Sequence, residues 1–476
     1  MARLVVIGGG AAGMSAASAA RRTDPGLEVV VCEAGGFAAY GMCGIPYYLG
    51  GIVPEPENLL AYPPSTFREK RGIDLRLHTR VTGIDPAARQ VRLAGGNGAA
   101  PVPPAASGGS LAYDALVVTT GADPVRPPVP GLDERRVFTI RSLDEAIGLR
   151  RLLASGTVRH AVVVGAGYVG LETAEALVCA GVDVDVVEAL PGVLGTVDEP
   201  VAALAQAEVE RHATLRLGAR LDAVRVKDST RLEAVGPGRS TAGRLSAVVD
   251  GEEIPADLVV IAVGVRPATD LLIQAGAGHL PDGSVVVDPG MRTSLPDVFA
   301  AGDAGALSHL LRGRAAWVPL GPAANKTGRV AGTVAAGGTA SFRGVVGTAV
   351  VKVFGLEVAR TGLGLAEARA AGLDAVATDE VSRSRAKYYP GASPLHVRLV
   401  HTREGRLLGG QLAGREGAAK RVDVLATALH AGFTVDDLAG LDLSYAPPFA
   451  PVYDPVLAAA IKAARGLAAV SAGGSP

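Results

Sequence analysis

One pattern occurs twice in the chain and limits its fold more than any other feature. It consists of a short apolar run, a glycine-rich turn, a helix of small residues, a second apolar run and a glutamate. The first copy runs Leu4-Val5-Val6-Ile7, Gly8-Gly9-Gly10-Ala11-Ala12-Gly13, a helical stretch to about Arg22, and an apolar run over 27–32 that ends at Glu33. The second runs over 161–164, Gly165-Ala166-Gly167-Tyr168-Val169-Gly170, a helical stretch to about Ala180, and 182–187 ending at Glu188. In such a unit the first glycine makes the tight turn and the second lets backbone approach a pyrophosphate. The third lets helix pack on strand, and the helix N-terminus faces the phosphates. A single turn of this kind is weak evidence. Two of them, each between strand and helix and each with a carboxylate roughly 20 residues on, predict two Rossmann-type dinucleotide-binding units.

Glu33 and Glu188 are expected to accept hydrogen bonds from ribose hydroxyls. A carboxylate at Glu188 would also repel a 2′-phosphate, and no Lys or Arg follows within 189–195 to offset it. NADH is therefore expected over NADPH in the second unit, with NADPH as the alternative. Residues 116–119 read as a strand closing on the turn at Thr120 and Gly121, and 258–263 repeats that pattern. Residues 94–110 form a low-complexity loop between two short strands, read as a hairpin tip. After about Arg343 the texture changes: 345–354, 396–400 and 407–412 alternate like antiparallel strands and helices follow, a third unit of α+β type.

The remaining composition narrows the function. Lys and Arg total 46 against 47 Asp and Glu, a net charge of −1, which gives no electrostatic reason for a nucleic-acid partner. The start runs straight into a strand, so no signal peptide is expected. No charge-free apolar run approaches the roughly 20 residues that span a bilayer. No membrane association and a cytoplasmic location are expected. Three cysteines do not make a disulfide framework, and no metal-ligating set is expected. Cys43 stands out in Tyr40-Gly41-Met42-Cys43-Gly44-Ile45-Pro46-Tyr47-Tyr48, shortly after Glu33. Cys32, on a strand, and Cys179, on the helix of the second unit, read as packing cysteines.

Thr293-Ser294-Leu295-Pro296-Asp297-Val298-Phe299-Ala300-Ala301-Gly302-Asp303 resembles the second FAD motif of two-dinucleotide-binding flavoproteins. There the aspartate contacts the ribityl chain and the glycine permits close approach. Three further stretches carry a wider likeness: Cys43-Gly44-Ile45-Pro46-Tyr47-Tyr48, Pro319-Leu320-Gly321-Pro322-Ala323 with Asn325-Lys326, and Ser444-Tyr445-Ala446-Pro447-Pro448-Phe449-Ala450-Pro451-Val452-Tyr453-Asp454-Pro455. Over nearly its whole length the chain resembles the pyridine nucleotide–disulfide oxidoreductase family. The branch is the single-cysteine one, which includes coenzyme A disulfide reductases, NADH oxidases and peroxidases, and persulfide reductases.

That resemblance implies an α/β fold with two Rossmann-type domains and a C-terminal α+β dimerisation domain. The FAD domain is expected over 1–122 and 257–335, the NAD(H) domain over 123–256 and the dimerisation domain over 340–476. Gly8, Gly10, Gly13, Glu33, Thr120, Gly121, Gly302 and Asp303 are expected to hold FAD. Gly165, Gly167, Gly170 and Glu188 are expected to hold NADH. The implied enzyme is a homodimer with active sites at the interface, reducing a small disulfide or persulfide. Cys43 would alternate between thiolate and a mixed disulfide or sulfenic acid. Tyr445, with Tyr388 beside it, is the implied general acid, supplied by the other subunit. A phenol of ordinary pKa about 10 donates readily to a thiolate. Arg22, Lys70 and Arg71 match basic positions that could hold a phosphorylated handle such as that of coenzyme A.

Three departures qualify this picture. Ala11 stands where oxidases and peroxidases of the branch commonly place a histidine, which argues against a peroxide cycle. Ala39 and Met42 stand where coenzyme A disulfide reductases typically carry serine and asparagine, which argues against a standard coenzyme A site. The rhodanese segment that gives some members of the branch a second thiol is not expected, so a persulfide relay within one chain is not expected either. An NADH oxidase or peroxidase using Cys43, and a flavoprotein redox sensor without rapid turnover, are the alternative readings.

Overall fold

The computed structural model describes residues 2–94, 109–226 and 245–472. The expected hairpin tip lies almost wholly outside them, but its flanking strands, Gln90–Leu93 and Ser110–Ala112, pair antiparallel. Arg3–Ile7 is the centre of a five-stranded parallel sheet, with Glu28–Cys32 on one side and Ala115–Val118 on the other. Ile73–Arg76 and Val298–Ala300 form its edges. Leu4, Val5, Val6, Leu116, Val117 and Val118 are fully buried. Continuous apolar runs suit a parallel sheet covered on both faces, and this explains why these strands do not alternate. One cover is the helix Ala11–Thr23, with Gly321–Ala335 behind it. A Cβ at Gly328 would sit 2.2 Å from the Ala12 carbonyl oxygen, so the two helices touch backbone to backbone.

The second unit repeats the plan. His160–Val164 lies between Asp183–Glu188 and Leu258–Ile261, all parallel, with Thr214–Leu217 and Val137–Phe138 outside them. Leu258–Ile261 therefore completes the second sheet, and a return to the first unit at 257 is too early. An apolar strand of four residues carries no mark of which sheet will bury it. Beyond it, Val265–Pro267 pairs with Ala122–Pro124 and ties the two units together.

The third unit is a five-stranded antiparallel sheet in the order Ala349–Val353, Leu356–Gly362, Leu407–Gly414, Pro394–Thr402, Ala375–Arg383. Helices Ala418–Ala431 and Pro455–Ala472 pack on it. Asp198 of the second unit is clamped between Arg398 Nε at 2.7 Å and the Leu365 N–H at 3.1 Å. Arg398 also pairs with Asp379. A buried arginine shared by two carboxylates is costly to break, because the survivors would be left desolvated. The clamp fixes the second unit against the third. No helix among the described residues is long and apolar enough to cross a membrane.

Candidate active site

Both fingerprints lie where strand order reverses, beside the central strand of each sheet, the usual ligand crevice of open α/β sheets. Gly8, at φ +97°, leaves no room for a side chain: a Cβ would lie 2.4 Å from the Thr119 carbonyl oxygen. Its counterpart Gly165 stands in the same relation to the Ala262 carbonyl oxygen, at 2.3 Å. Gly13 and Gly170 press their helices onto the turn, each 1.9 Å by the same measure from the carbonyl oxygen of Gly8 or Gly165. Gly10 and Gly167 have nothing within 4 Å of a built Cβ, so that space stays open to a ligand.

The two glutamates make matching bonds. Glu33 accepts from the Gly9 N–H at 2.6 Å and the Gly35 N–H at 2.7 Å. Glu188 accepts from the Ala166 N–H at 2.7 Å and the Leu190 N–H at 2.8 Å. Each carboxylate oxygen keeps a second lone pair for a ribose hydroxyl.

Val298–Ala300 delivers Gly302 and Asp303 to the first crevice. The Gly302 N–H donates to Thr327 Oγ1 at 3.0 Å, and Trp317 Nε1 donates to the Asp303 carbonyl at 2.7 Å. The Asp303 carboxyl has no hydrogen-bond partner among the described residues, and burial raises its pKa. Facing it is Arg141, whose guanidinium likewise makes no ion pair or hydrogen bond among the described residues and lies 3.0 Å from a Cβ built on Gly121. An orphaned carboxyl, an unpaired guanidinium and the open approach at Gly10 match the hydroxyls and phosphates of a dinucleotide, so the residues present fit FAD. Thr120 spends its hydroxyl on the Ala268 carbonyl at 2.5 Å, leaving only backbone for a ligand. Arg141 has no sequence signal, because it lies outside any glycine-rich turn.

Cys43 sits in the single turn Met42–Gly44 ahead of the short helix Ile45–Leu49. Its thiol is exposed, and yet its ionisation is disfavoured. Burial by surrounding atoms raises its pKa first, followed by the carboxyls of Glu172 and Asp303, while its own N–H and Arg141 act the other way. One turn on, Tyr47 Oη donates to Glu172 Oε1 at 3.3 Å across the boundary between first and second units. Burial pushes the Glu172 carboxyl up to about 7, and burial with the Glu172 charge pushes the Tyr47 phenol up to about 12. Tyr47 was legible only as part of the cysteine motif, and Glu172 not at all.

The other cysteines differ from each other. Cys32 is buried on its strand, with desolvation pushing its thiol up to about 11, as a packing cysteine should be. Cys179 is exposed, contrary to expectation. It is the last residue of its helix, two positions past Leu177, which with Ala176 faces the core.

Tyr388 and Tyr445 come together, their hydroxyls 3.4 Å apart, on the third unit. Tyr388 is 75% exposed and Tyr445 46%, beside exposed Phe449, Val452 and Tyr453. Among the described residues no hydrogen bond links either to the Cys43 region of the same chain. Of the three basic residues, only Arg71 is built into a cradle. Its Nη1 donates to Ser18 Oγ at 2.8 Å and its guanidinium lies over the Tyr62 and Phe67 rings at 4.5 and 4.9 Å. Arg22 and Lys70 are exposed and their side chains make no hydrogen bond or ion pair among the described residues.

The chain resembles known proteins along its length. The pattern of the pyridine nucleotide-disulphide oxidoreductases matches residues 2–328, and that of their dimerisation domain matches 348–455. An NAD(P)H coenzyme A polysulfide/persulfide reductase of Pyrococcus horikoshii is 37% identical over 96% of this chain and 97% of its own. An NADH oxidase of Methanocaldococcus jannaschii is 31% identical over 98% and 99%. The solved structure of an NAD-dependent persulfide reductase from A. fulgidus superimposes with a TM-score of 0.90 at 37% identity, over 98% of this chain and 84% of that one. With two dinucleotide-binding units, an exposed cysteine beside the first crevice and a dimerisation domain, the chain belongs to the pyridine nucleotide-disulphide oxidoreductase family.

Proposed function

We propose that this protein is a cytoplasmic, homodimeric, FAD-dependent reductase that prefers NADH and uses the single thiol of Cys43 to reduce a small disulfide or a persulfide. The observation that carries the reading is the position of that thiol. It is exposed, it feels the charges of Asp303 and of Glu172 from the second unit, and it has no second cysteine to resolve it. When bound, FAD would supply two-electron exchange between a nicotinamide and a sulfur. Gly8, Gly10, Gly13, Glu33, Gly121, Gly302 and Asp303 would hold it, joined by Arg141, whose unpaired guanidinium supports that role. Gly165, Gly167, Gly170 and Glu188 would hold the nicotinamide dinucleotide.

The Cys43 thiolate attacks one sulfur of the substrate, forming a mixed disulfide and expelling a thiolate. Tyr445, with Tyr388 at its side, protonates that leaving group from the partner subunit. The exposed tyrosine pair, with no bond to its own chain's Cys43, supports a role across the interface. Overall, NADH and one proton convert a disulfide into two thiols. Arg71 in its aromatic cradle, with Lys70 beside it in sequence and with Arg22, whose neighbour Arg21 donates to the Arg71 carbonyl, receives an anionic substrate handle. Ala39 and Met42 offer the sulfur end only apolar contact, which favours a compact persulfide over a substrate anchored by hydrogen bonds.

The second reading is an NADH oxidase or peroxidase, supported by the M. jannaschii relative. Ala11 opens the first helix without an acid–base group to serve that chemistry. NADH consumption by the purified holoenzyme with coenzyme A disulfide, coenzyme A persulfide, polysulfide, peroxide or oxygen as acceptor separates the two. Sustained turnover with a disulfide or persulfide is expected. Turnover with oxygen or peroxide alone would establish the second reading, and stoichiometric flavin reduction that none of these acceptors extends to multiple turnovers would leave a redox sensor.

A further inference from the structure

Arg421, in the first turn of the helix Ala418–Ala431, spends its guanidinium on several separate pieces of chain. Its Nε donates to Asp454 Oδ2 at 2.7 Å, and the two side chains are only 12% and 11% exposed. Asp454 in turn caps the helix Pro455–Ala472, its Oδ1 accepting from the Val456 N–H at 2.9 Å. Arg421 Nη1 donates to the Gly417 carbonyl at 3.3 Å, and a Cβ built on Gly417, at φ +86°, would collide with it. Glycine there leaves the fork its room. Arg421 Nη2 donates to two further carbonyls, that of Ser384 at 3.0 Å and that of Phe449 at 2.9 Å.

Those two carbonyls belong to the two segments that carry the tyrosine pair. Ser384 closes the hairpin between Ala375–Arg383 and Pro394–Thr402, its N–H donating to the Ser393 carbonyl at 2.8 Å, and Tyr388 lies in the loop beyond it. Phe449 closes the turn just after Tyr445, its N–H donating to the Ala446 carbonyl at 2.9 Å. The Ala386 N–H adds a bond to the Pro447 carbonyl at 3.1 Å. Neither tyrosine is buried in the core, so the 3.4 Å between their hydroxyls is set by how the two segments stand to each other. We propose that Arg421 is a positioning residue: by holding one carbonyl of each segment through a single nitrogen, it sets the spacing of Tyr388 and Tyr445. The inference rests on Tyr445 being the acid that protonates the leaving thiolate. Arg421 adds no step to that exchange, since a guanidinium stays charged throughout. Four of its five N–H donors are engaged in a planar fork, which the single nitrogen of a lysine cannot reproduce.

The test is the oxidative half-reaction. NADH-reduced holoenzyme is mixed in a stopped-flow instrument with coenzyme A persulfide or coenzyme A disulfide, whichever the parent turns over faster, and the return of flavin absorbance is followed. Arg421→Lys keeps a cation for Asp454 but loses the fork. It should slow reoxidation roughly tenfold, part of the factor on the order of 10² that a placed general acid contributes. Reoxidation by ferricyanide, which takes electrons with no leaving thiolate to protonate, should be unchanged. Added to Tyr445→Phe, Arg421→Lys should cost nothing further, because residues that act through one another are not additive. Arg421→Met with Asp454→Asn removes both charges, keeps an oxygen to cap Val456, and should give the same pattern should Arg421→Lys fold poorly. Parental reoxidation by Arg421→Lys beside a slow Tyr445→Phe would overturn the inference and leave Tyr445 as the acid. So would equal losses with both kinds of acceptor, or a double variant slower than Tyr445→Phe by the full factor of Arg421→Lys alone. A Tyr445→Phe protein that reoxidises like the parent would overturn the reading of Tyr445 itself, and the inference with it.

Discussion

Gly167→Ala and Gly170→Ala, three positions apart in one turn, should fail in opposite ways. A Cβ at Gly170 would lie 1.9 Å from the Gly165 carbonyl oxygen and 3.5 Å from the Ala262 Cβ. That is about 1.5 Å inside the ~3.5 Å at which non-bonded atoms rest, and the obstacle is backbone that no rotamer change can move. Overpacking of this kind costs about 1–3 kcal/mol. For a unit of this size that lowers the thermal midpoint by several degrees, at roughly 4 °C per kcal/mol. At Gly167 nothing lies within 4 Å and φ is −80°, so alanine costs the fold nothing. Only a ligand closing on that backbone can meet it. Calorimetric melting together with titration by ADP-ribose, a non-reducing probe of the site, separates the two effects. Gly167→Ala should melt like the parent and bind ADP-ribose at least about tenfold more weakly, about 1.4 kcal/mol. Gly170→Ala should melt earlier. A Gly167→Ala protein that binds ADP-ribose normally, or that melts as early as Gly170→Ala, would refute the assignment of this turn to a pyrophosphate. Gly10 and Gly13 form the same contrast in the first unit, with retained FAD as the readout.

Glu188→Ala should raise the NADPH to NADH ratio of kcat/KM about tenfold, because a carboxylate that repels a 2′-phosphate is gone; an unchanged ratio removes the basis for preferring NADH. Tyr445→Phe should slow disulfide turnover on the order of 10²-fold while leaving NADH oxidation by an artificial acceptor intact; equal losses in both assays would make Tyr445 a packing residue. His309 is buried, its Nδ1 without a partner among the described residues, and burial, with Arg312, lowers its pKa from 6.5 to about 4. Between those values the unfolded chain takes a proton that the folded chain refuses. Stability should therefore fall as pH drops through that window, by up to about 3 kcal/mol. His309→Gln should flatten this limb in denaturant titrations, and an unchanged limb would place the acid sensitivity elsewhere.

What the sequence disclosed is what depends on neighbours in the chain. The glycine turns were legible because Gly8 and Gly165 need a positive φ and Gly13 and Gly170 need bare backbone, demands that only glycine meets. The Gly302-Asp303 turn was legible as a strand ending in a fixed motif. Features set by tertiary placement were not. Leu258–Ile261 gave no sign that it would close the second sheet. Cys179 was misread because an apolar helix hides which of its last residues clears the core. Glu172 meets Tyr47 across 125 positions of sequence, and Arg141 is notable only for lacking a partner among the described residues. The two crevices could be read ahead of the structure, whereas the charges around the thiol could not.

The most direct measurement is turnover of the Cys43→Ser holoenzyme with disulfide and persulfide acceptors, alongside NADH-dependent bleaching of its flavin. The account predicts that turnover falls on the order of 10³-fold or more while bleaching by NADH persists, since the thiol is the sole route from nicotinamide to substrate sulfur. Disulfide or persulfide turnover within tenfold of the parent would contradict it.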